Sequence, residues 1–123
     1  MHFPVFTNWL KKQPADVGGA VWELLDYLCE FGRQAVLPDV LNGVQVSAHY
    51  PDMSEVRLDR GTGQERRSIR VLTCFVDGGT AVLVCLAGDK HGYKERTGRD
   101  WYDDYVPLAD QIVTKYYDRG GQP

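Results

Sequence analysis

The chain has 123 residues, of which 43% are hydrophobic and 25% are charged, and its formal net charge is −3. This composition is typical of a single globular domain spanning residues 1–123, and it excludes collagen, a coiled coil, a repeat array or a largely disordered chain. The negative net charge also argues against a protein that coats nucleic acid by bulk charge.

The first half of the chain predicts two helices. Residues 2–6 are expected to be extended, and Thr7 to cap a short helix that runs to about Lys12. A second helix should follow Pro14, because apolar residues recur at helical spacing from Val17 to Phe31, and Gly32 should end it. Residues 36–50 contain several turn signals and are expected to form a loop.

Three antiparallel strands are predicted next. Residues 53–59 alternate, so that Met53, Glu55, Arg57 and Asp59 share one face. Residues 68–76 and 81–87 flank an Asp-Gly-Gly-Thr turn, whose glycines suit the positive φ angles of a type I′ hairpin. The expected partners across this hairpin are Asp77 with Thr80, Phe75 with Val82, Leu72 with Cys85, and Arg70 with Ala87. Both hairpin faces are apolar, which predicts cover on both sides.

The last third predicts a charged loop and a helix. Residues 88–99 are rich in glycine and charged residues and are expected to form a loop. Apolar residues then recur as a stripe at helical spacing, and Pro107 either kinks this helix or is the first residue of a helix that begins there. The stripe consists of Trp101, Tyr105, Leu108, Ile112 and Tyr116. The predicted fold class is therefore α+β, with a small antiparallel sheet of three to four strands, two N-terminal helices packed on it and a C-terminal helix.

Targeting signals and metal motifs are absent from the sequence. No apolar run approaches the ~20 residues of a membrane span, and residues 1–10 do not resemble a signal peptide. Cys29, Cys74 and Cys85 form no CxxC pair, and the three histidines are scattered. We expect a cytoplasmic protein with reduced, buried cysteines, no metal, no cofactor and no membrane contact.

Two basic stretches flank the predicted hairpin. Residues 57–70 contain five arginines against two carboxylates, and residues 90–99 contain four cations against Glu95. Because both stretches adjoin the same strand pair, they could meet in space. The alternative is that each is an ordinary solvated surface.

Five short phrases occur in an order that resembles one protein family. They are Glu55-Val56-Arg57, Ile69-Arg70-Val71-Leu72, Gly88-Asp89-Lys90, Trp101-Tyr102 and Val106-Pro107-Leu108-Ala109-Asp110. Together they resemble the RelE/ParE superfamily of bacterial toxins, in its HigB-like, phage-derived branch. The resemblance departs at Ser54, where the family tends to carry lysine, and in the longer connection between residues 59 and 68.

The resemblance implies the toxin of a type II toxin–antitoxin system. Its expected activity is metal-independent cleavage of mRNA on the ribosome, which inhibits translation and growth. Its expected partners are the ribosome, mRNA and a cognate antitoxin with a helix-turn-helix DNA-binding unit. Two other functions stay open: a gyrase-inhibiting toxin of the ParE type, and an enzymatically inactive protein that keeps the fold.

Candidate site residues follow from the chemistry of RNA cleavage. Cations stabilise the charge that grows on the phosphorus, a carboxylate can accept the 2′-OH proton, and an aromatic ring can stack on a base. The expected catalytic residues are Arg70, Lys94, Glu55 and Tyr102, and the expected phosphate-binding residues are Arg57, Lys90, Arg66, Arg67 and Arg96. We expect Arg57, Arg70, Lys90 and Lys94 to converge on one patch with Tyr102 at its edge. The alternatives are that Arg70 pairs with Glu55, Glu65 or Asp89, and that Glu55 only holds an arginine in place.

Overall fold

The computed structural model describes residues 4–31, 41–43, 50, 53–79 and 81–120. The expected helix end at Gly32, the pairing of Thr80 and most of the predicted 36–50 loop lie outside these residues. The helices are α1 (Pro4–Lys11), α2 (Ala15–Phe31), α3 (Tyr93–Thr97) and α4 (Trp101–Asp118). The strands are β1 (Leu41–Gly43), β2 (Met53–Arg60), β3 (Arg67–Val76) and β4 (Ala81–Asp89).

The strands form one antiparallel sheet in the order β1-β2-β3-β4. The α+β class and the antiparallel sheet between N-terminal and C-terminal helices are confirmed. Two short segments are regular where the sequence predicts loop: β1 pairs with residues 54–56 at the edge of the sheet, and α3 lies in the charged loop after β4.

Both faces of the sheet are covered, as the apolar hairpin predicts. On one face, α1 and α2 pack through Phe6, Val17 and Val21 against apolar residues such as Val71 and Val84. On the other face, α4 contributes one buried stripe. It packs through Trp101, Val106, Ala109, Val113 and Tyr116 against residues that include Leu72, Cys74 and Cys85. Burial on both faces accounts for the nearly continuous apolar sequence of β3.

The extended start predicted for residues 2–6 is wrong where the structure describes it. Helix α1 begins at Pro4, and Phe6 is fully buried against α2 and the sheet. Proline is tolerated in the first turn, because its missing N–H would have no helical partner there. Phe6 stacks on Trp9 one turn later, so an aromatic face rather than strand pairing directs this segment.

A β-bulge shifts the predicted hairpin register. Phe75 pairs with Val82 as predicted, but Leu72 pairs with Leu86 and Arg70 with Gly88, because the ladder shifts between Leu72 and Thr73. The predicted partners Cys85 and Ala87 are therefore wrong by one residue. The extra residue brings both Cys85 and Leu86 to the α4 side of the sheet, where both are buried.

The turn and the C-terminal helix also differ in detail from the sequence expectation. Positive φ angles of 55° and 71° occur at Asp77 and Gly78, whereas the sequence predicted positive φ only at the glycines of the turn. Helix α4 is a single helix that contains Pro107, and Leu108 is 44% exposed rather than part of the buried stripe. The buried face passes through Ala109 instead. Cys74 and Cys85 are buried free thiols, whereas Cys29 on α2 is exposed, contrary to expectation.

Candidate functional site

The site is built around Glu55, a buried carboxylate on β2. Its side chain is on the α4 face of the sheet, and the residue is only 3% exposed. Oε1 accepts a hydrogen bond from Nε of Arg57 at 2.7 Å, and Oε2 accepts one from the phenol of Tyr102 at 2.5 Å. Burial of a carboxylate is tolerated where charged and polar donors occupy both oxygens, as they do here.

Tyr102 links this carboxylate to helix α4. Asp100 caps the helix by accepting a hydrogen bond from the Tyr102 amide, which fixes the first turn beside the sheet. Burial raises the pKa of Tyr102 to about 12, with a further contribution from the hydrogen bond to Glu55. The hydrogen bond to Glu55 likewise raises the pKa of Arg57. Tyr102 is therefore a neutral phenol and Arg57 a cation at neutral pH.

Arg70 lies beside this group but is paired differently from the expectation. It is 5% exposed, and its Nη1 donates to Oδ1 of Asp59 at 2.8 Å and to the Ile69 carbonyl at 2.9 Å. Its Nε is buried and has no hydrogen-bond partner among the described residues. The expected partners Glu55 and Asp89 are engaged elsewhere, and Asp59 is the carboxylate that reaches Arg70.

Asp59 is held ionised by the arginines around it. Burial acts to raise the pKa of Asp59, but the hydrogen bond from Arg70 and the charges of Arg70, Arg66 and Arg57 outweigh it. The result is a pKa below the ordinary value. The sequence contained the signal for this pairing, since Asp59 is on the same face of β2 as Arg57, and Arg57 lies directly across from Arg70. Sequence reasoning did not include Asp59 among the site residues.

The Gly88-Asp89-Lys90 phrase fixes the start of the charged loop. A Cβ on Gly88 would lie 3.0 Å from Nε1 of Trp101, so glycine lets the indole pack on the strand. Oδ1 of Asp89 accepts hydrogen bonds from the amides of Ser68 and His91 at 2.8 and 2.9 Å. These bonds set the position of Lys90, whose Nζ lies 5.3 Å from the centre of the Tyr102 ring, within cation–π range.

A basic cleft of about 300 Å³ opens between this loop, the start of β3 and the start of α4. Its lining includes three cations, two carboxylates and two phenol rings: Arg66, Lys90, Lys94, Glu95, Asp100, Tyr93 and Tyr102. Tyr93, which the sequence did not single out, donates to Asp104 at 2.6 Å. Asp104 also accepts from Arg99 at 2.6 Å, so one carboxylate ties the loop to α4. We refer to the 300 Å³ space between the charged loop, β3 and α4 as the basic cleft.

The four cations expected on one patch form two groups that meet at Tyr102. Lys90 and Lys94 line the basic cleft. Arg57 lines a second cleft of about 320 Å³ between α2 and the end of β2, and Arg70 is buried. The prediction of one open patch is therefore too simple, because the carboxylates of Glu55 and Asp59 neutralise the two arginines on the sheet.

The two remaining arginines of the predicted site lie at its periphery. Arg67 begins β3 opposite Arg60 and is half-buried. Arg96 on α3 is exposed, and its guanidinium lies 5.8 Å from the centre of the Tyr93 ring. Both can contribute long-range attraction for an anion, but neither is among the residues that line the basic cleft.

The comparisons with known proteins identify no relative. No protein-family model, no curated protein and no solved structure matches this chain. In the part of the chain that the structure describes, no helix is long and apolar enough to cross a membrane. Nor do three or more His, Cys, Asp or Glu side chains cluster there as metal ligands would.

Proposed function

We propose that the chain is the toxin of a type II toxin–antitoxin system and cleaves mRNA without a metal. The observation that carries the proposal is the adjacency of the basic cleft to the Glu55–Tyr102 pair. An anion-attracting surface then abuts a buried carboxylate that can accept a proton through a phenol. The resemblance to RelE/ParE toxins in the sequence supplies the substrate class, and the cations and aromatic rings of the cleft are compatible with a phosphate-bearing ligand that has stackable bases.

The cleft suits single-stranded RNA in size and chemistry. About 300 Å³ is at the small end of ligand pockets and fits one nucleotide better than a duplex. Lys90, Lys94 and Arg66 offer charge to backbone phosphates, and Tyr93 and Tyr102 offer rings to a splayed base. Binding should therefore weaken as salt concentration rises.

The proposed reaction is attack of a ribose 2′-OH on its own 3′ phosphate. The 2′ oxygen bonds to phosphorus, the bond from phosphorus to the 5′ oxygen breaks, and the product is a 2′,3′-cyclic phosphate. Tyr102 accepts the 2′-OH proton as its own phenolic proton passes to Glu55, over the 2.5 Å hydrogen bond. Lys90 stabilises the dianionic phosphorane, and Lys94 returns a proton to the leaving 5′ oxygen.

The proposed setting is the cytoplasm, with the ribosome presenting the mRNA. A cognate antitoxin with a helix-turn-helix unit neutralises the toxin, as the sequence resemblance implies. Growth arrest on expression of the chain alone, and its relief by co-expression of a cognate antitoxin, would support this part of the proposal. Normal growth at high expression of folded protein would contradict it.

An enzymatically inactive RNA-binding protein is the second candidate. It is favoured by the pairing inside the site: both oxygens of Glu55 already accept hydrogen bonds, and Arg70 is paired with Asp59. Such a protein would bind single-stranded RNA in the basic cleft and leave it intact. The two candidates therefore differ in the fate of bound RNA.

The test is to map mRNA 5′ ends by primer extension after the chain is induced in growing bacteria. We expect new ends within translated regions. A Lys90→Ala and Lys94→Ala double variant should lose about 10²–10³ in cleavage rate, since both charges contact the reacting phosphate. The matched control is Lys11→Ala with Lys12→Ala, which removes two exposed lysines near the end of α1. Equal cleavage by both double variants would contradict the assignment to this cleft.

A further inference from the structure

The end of β2 and the start of β3 bring three arginines around one carboxylate. Arg57 and Arg70 are direct cross-strand neighbours, which is an unfavourable arrangement for like charges. Asp59, two residues along β2, bonds to Arg70 and lines the same 320 Å³ cleft as Arg57. Arg66 immediately precedes β3, and Asp59 experiences its charge as well. Asp59 thus lies near three guanidinium groups, of which Arg57 also donates to Glu55 and Arg70 depends on Asp59 as its ion-pair partner.

Arg70 is only partly satisfied by this carboxylate. Its guanidinium is buried, it receives a single ion pair at 2.8 Å, and its Nε has no hydrogen-bond partner among the described residues. A guanidinium presents five N–H donors in a fork that matches the oxygens of phosphate. Asp59 is the exposed member of the pair, with 48% of its side chain accessible against 6% for Arg70, so a ligand from solvent can reach this end of the ion pair.

We propose that Arg57, Arg66 and Arg70 form a phosphate-binding subsite that the side chain of Asp59 fills when no ligand is bound. Asp59 acts as an internal substitute for the anion, and a tetrahedral phosphate competes with it for Arg70. Asp59 therefore sets how tightly this end of the sheet binds phosphate. The subsite rests on the proposed function, to which it adds a second place where phosphate binds. The proposal requires that phosphate bind there, but it does not require that the protein cleave RNA.

The test is calorimetric titration of inorganic phosphate into the full chain and an Asp59→Asn variant at neutral pH. Removing the competing charge while keeping the side-chain shape should tighten phosphate binding about tenfold or more. The matched control is Asp26→Asn, which makes the same charge change at an exposed position on α2. Asp59→Glu, which keeps the charge, should bind phosphate like the parent. Equal gains in Asp59→Asn and Asp26→Asn, or no gain in either, would overturn the proposal.

A second titration tests whether the gain in phosphate affinity depends on Arg70. Adding Arg70→Lys to Asp59→Asn removes the fork-shaped donor but keeps a cation, and it should abolish most of the gained affinity. A gain that survives this change would overturn the subsite. The source of the phosphate follows from a parallel titration with a short single-stranded RNA. Tighter binding of both ligands indicates backbone phosphate, and tighter binding of inorganic phosphate alone indicates the free ion.

The stability of the variant gives an independent measurement. Asp59→Asn leaves a buried cation without its counterion, so the variant is expected to unfold more readily in chloride buffer. Phosphate at equal ionic strength should restore its thermal midpoint, while the parent should respond little. A variant that stays destabilised or unfolded even in high phosphate would overturn the proposal, since the ligand would then not replace the carboxylate.

Discussion

Glu55 and Arg70 are both buried charges with partly exposed counterions, Arg57 and Asp59, whose side chains are 38% and 48% exposed, but only Glu55 has a second side-chain donor. Glu55 receives two donors, from Arg57 and Tyr102, and both bonds lie at least partly within the protein. Arg70 depends on Asp59, which is half-exposed and can regain water if the pair is broken. The consequence of a mutation therefore depends on which member of the pair is removed.

Removing Asp59 should destabilise the protein more than removing Arg70. Asp59→Ala leaves a buried guanidinium without its counterion, and because water already reaches the Asp59 side of the pair we expect a loss of about 1–3 kcal/mol, less than in fully buried pairs. Arg70→Met leaves a carboxylate that water can solvate and fills the space with an apolar chain of similar length. Urea unfolding of both variants in chloride buffer measures the two free energies. An equal or larger loss for Arg70→Met would contradict the assigned burial.

The hydrogen bond between Tyr102 and Glu55 should be visible in the pH dependence of stability. The pKa of Tyr102 is about 12 in the folded protein, above the ordinary value of 10. The folded state therefore retains the phenolic proton more strongly than the unfolded state. The contribution of Tyr102 to stability is present below pH 10 and is lost as the pH rises through 12.

A Tyr102→Phe variant isolates this contribution. It leaves Oε2 of Glu55 without its donor and should cost about 1–3 kcal/mol at neutral pH. The difference in unfolding free energy between parent and variant should shrink as the pH rises above 10, the ordinary value for the group. Tyr27→Phe on α2 is the control for loss of a phenol elsewhere. A difference that stays constant from neutral to alkaline pH would contradict the raised pKa of Tyr102.

At the scale of elements, the sequence predicted the helices and strands that follow from the spacing of apolar residues. It missed the features that depend on tertiary contacts. The helical spacing from Val17 to Phe31 and the glycine turn after β3 predicted α2 and the hairpin, and both are confirmed. The sequence predicted the first helix only from Thr7 and missed its first turn from Pro4, because burial of Phe6 outweighs the local signals. The bulge was missed because the run of apolar residues in β4 does not show which of them faces which helix.

The strand register that the bulge produces can be tested by mutation of Gly88. It sets Gly88 rather than Ala87 opposite Arg70, and the indole of Trp101 packs where a Gly88 side chain would be. Gly88→Ala would place Cβ 3.0 Å from Nε1 of Trp101, which is tighter than most Cβ contacts, so the indole would have to move by a few tenths of an ångström. We expect a loss of about 1–3 kcal/mol in unfolding free energy from this overpacking, with altered tryptophan fluorescence.

Gly19→Ala provides the opposite control for Gly88→Ala. Gly19 is exposed on α2, and a Cβ there meets nothing within 4 Å. Alanine should stabilise the protein by about 0.5–1 kcal/mol, through better helix propensity. If Gly88→Ala were as harmless as Gly19→Ala, the packing of Trp101 on β4, and with it the register after the bulge, would be wrong.

At the scale of the whole molecule, the sheet separates two cores and brings the polar residues to one end. The β2 and β3 ends carry Glu55, Arg57, Asp59 and Arg70, and the loop after β4 adds the lysines of the basic cleft. The sequence predicted that these segments adjoin one end of the hairpin, but it placed Arg57, Arg70, Lys90 and Lys94 on one patch, whereas they form two groups. The face that Asp59 shares with Arg57 was a signal for its pairing with Arg70, but that signal did not decide between the several carboxylates within reach, which packing does.

We propose that RNA bound in the basic cleft is cut through Tyr102 and Glu55. The most direct measurement is a single-turnover assay in which purified protein meets ribosomes that hold a defined mRNA, followed by chemical analysis of the new 3′ ends. The account predicts cut mRNA that ends in a 2′,3′-cyclic phosphate, and cleavage slower by about 10²-fold or more for a folded Tyr102→Phe variant, because the proton path to Glu55 is then broken. Intact mRNA on ribosomes that have bound the protein, or undiminished cleavage by Tyr102→Phe, would contradict it.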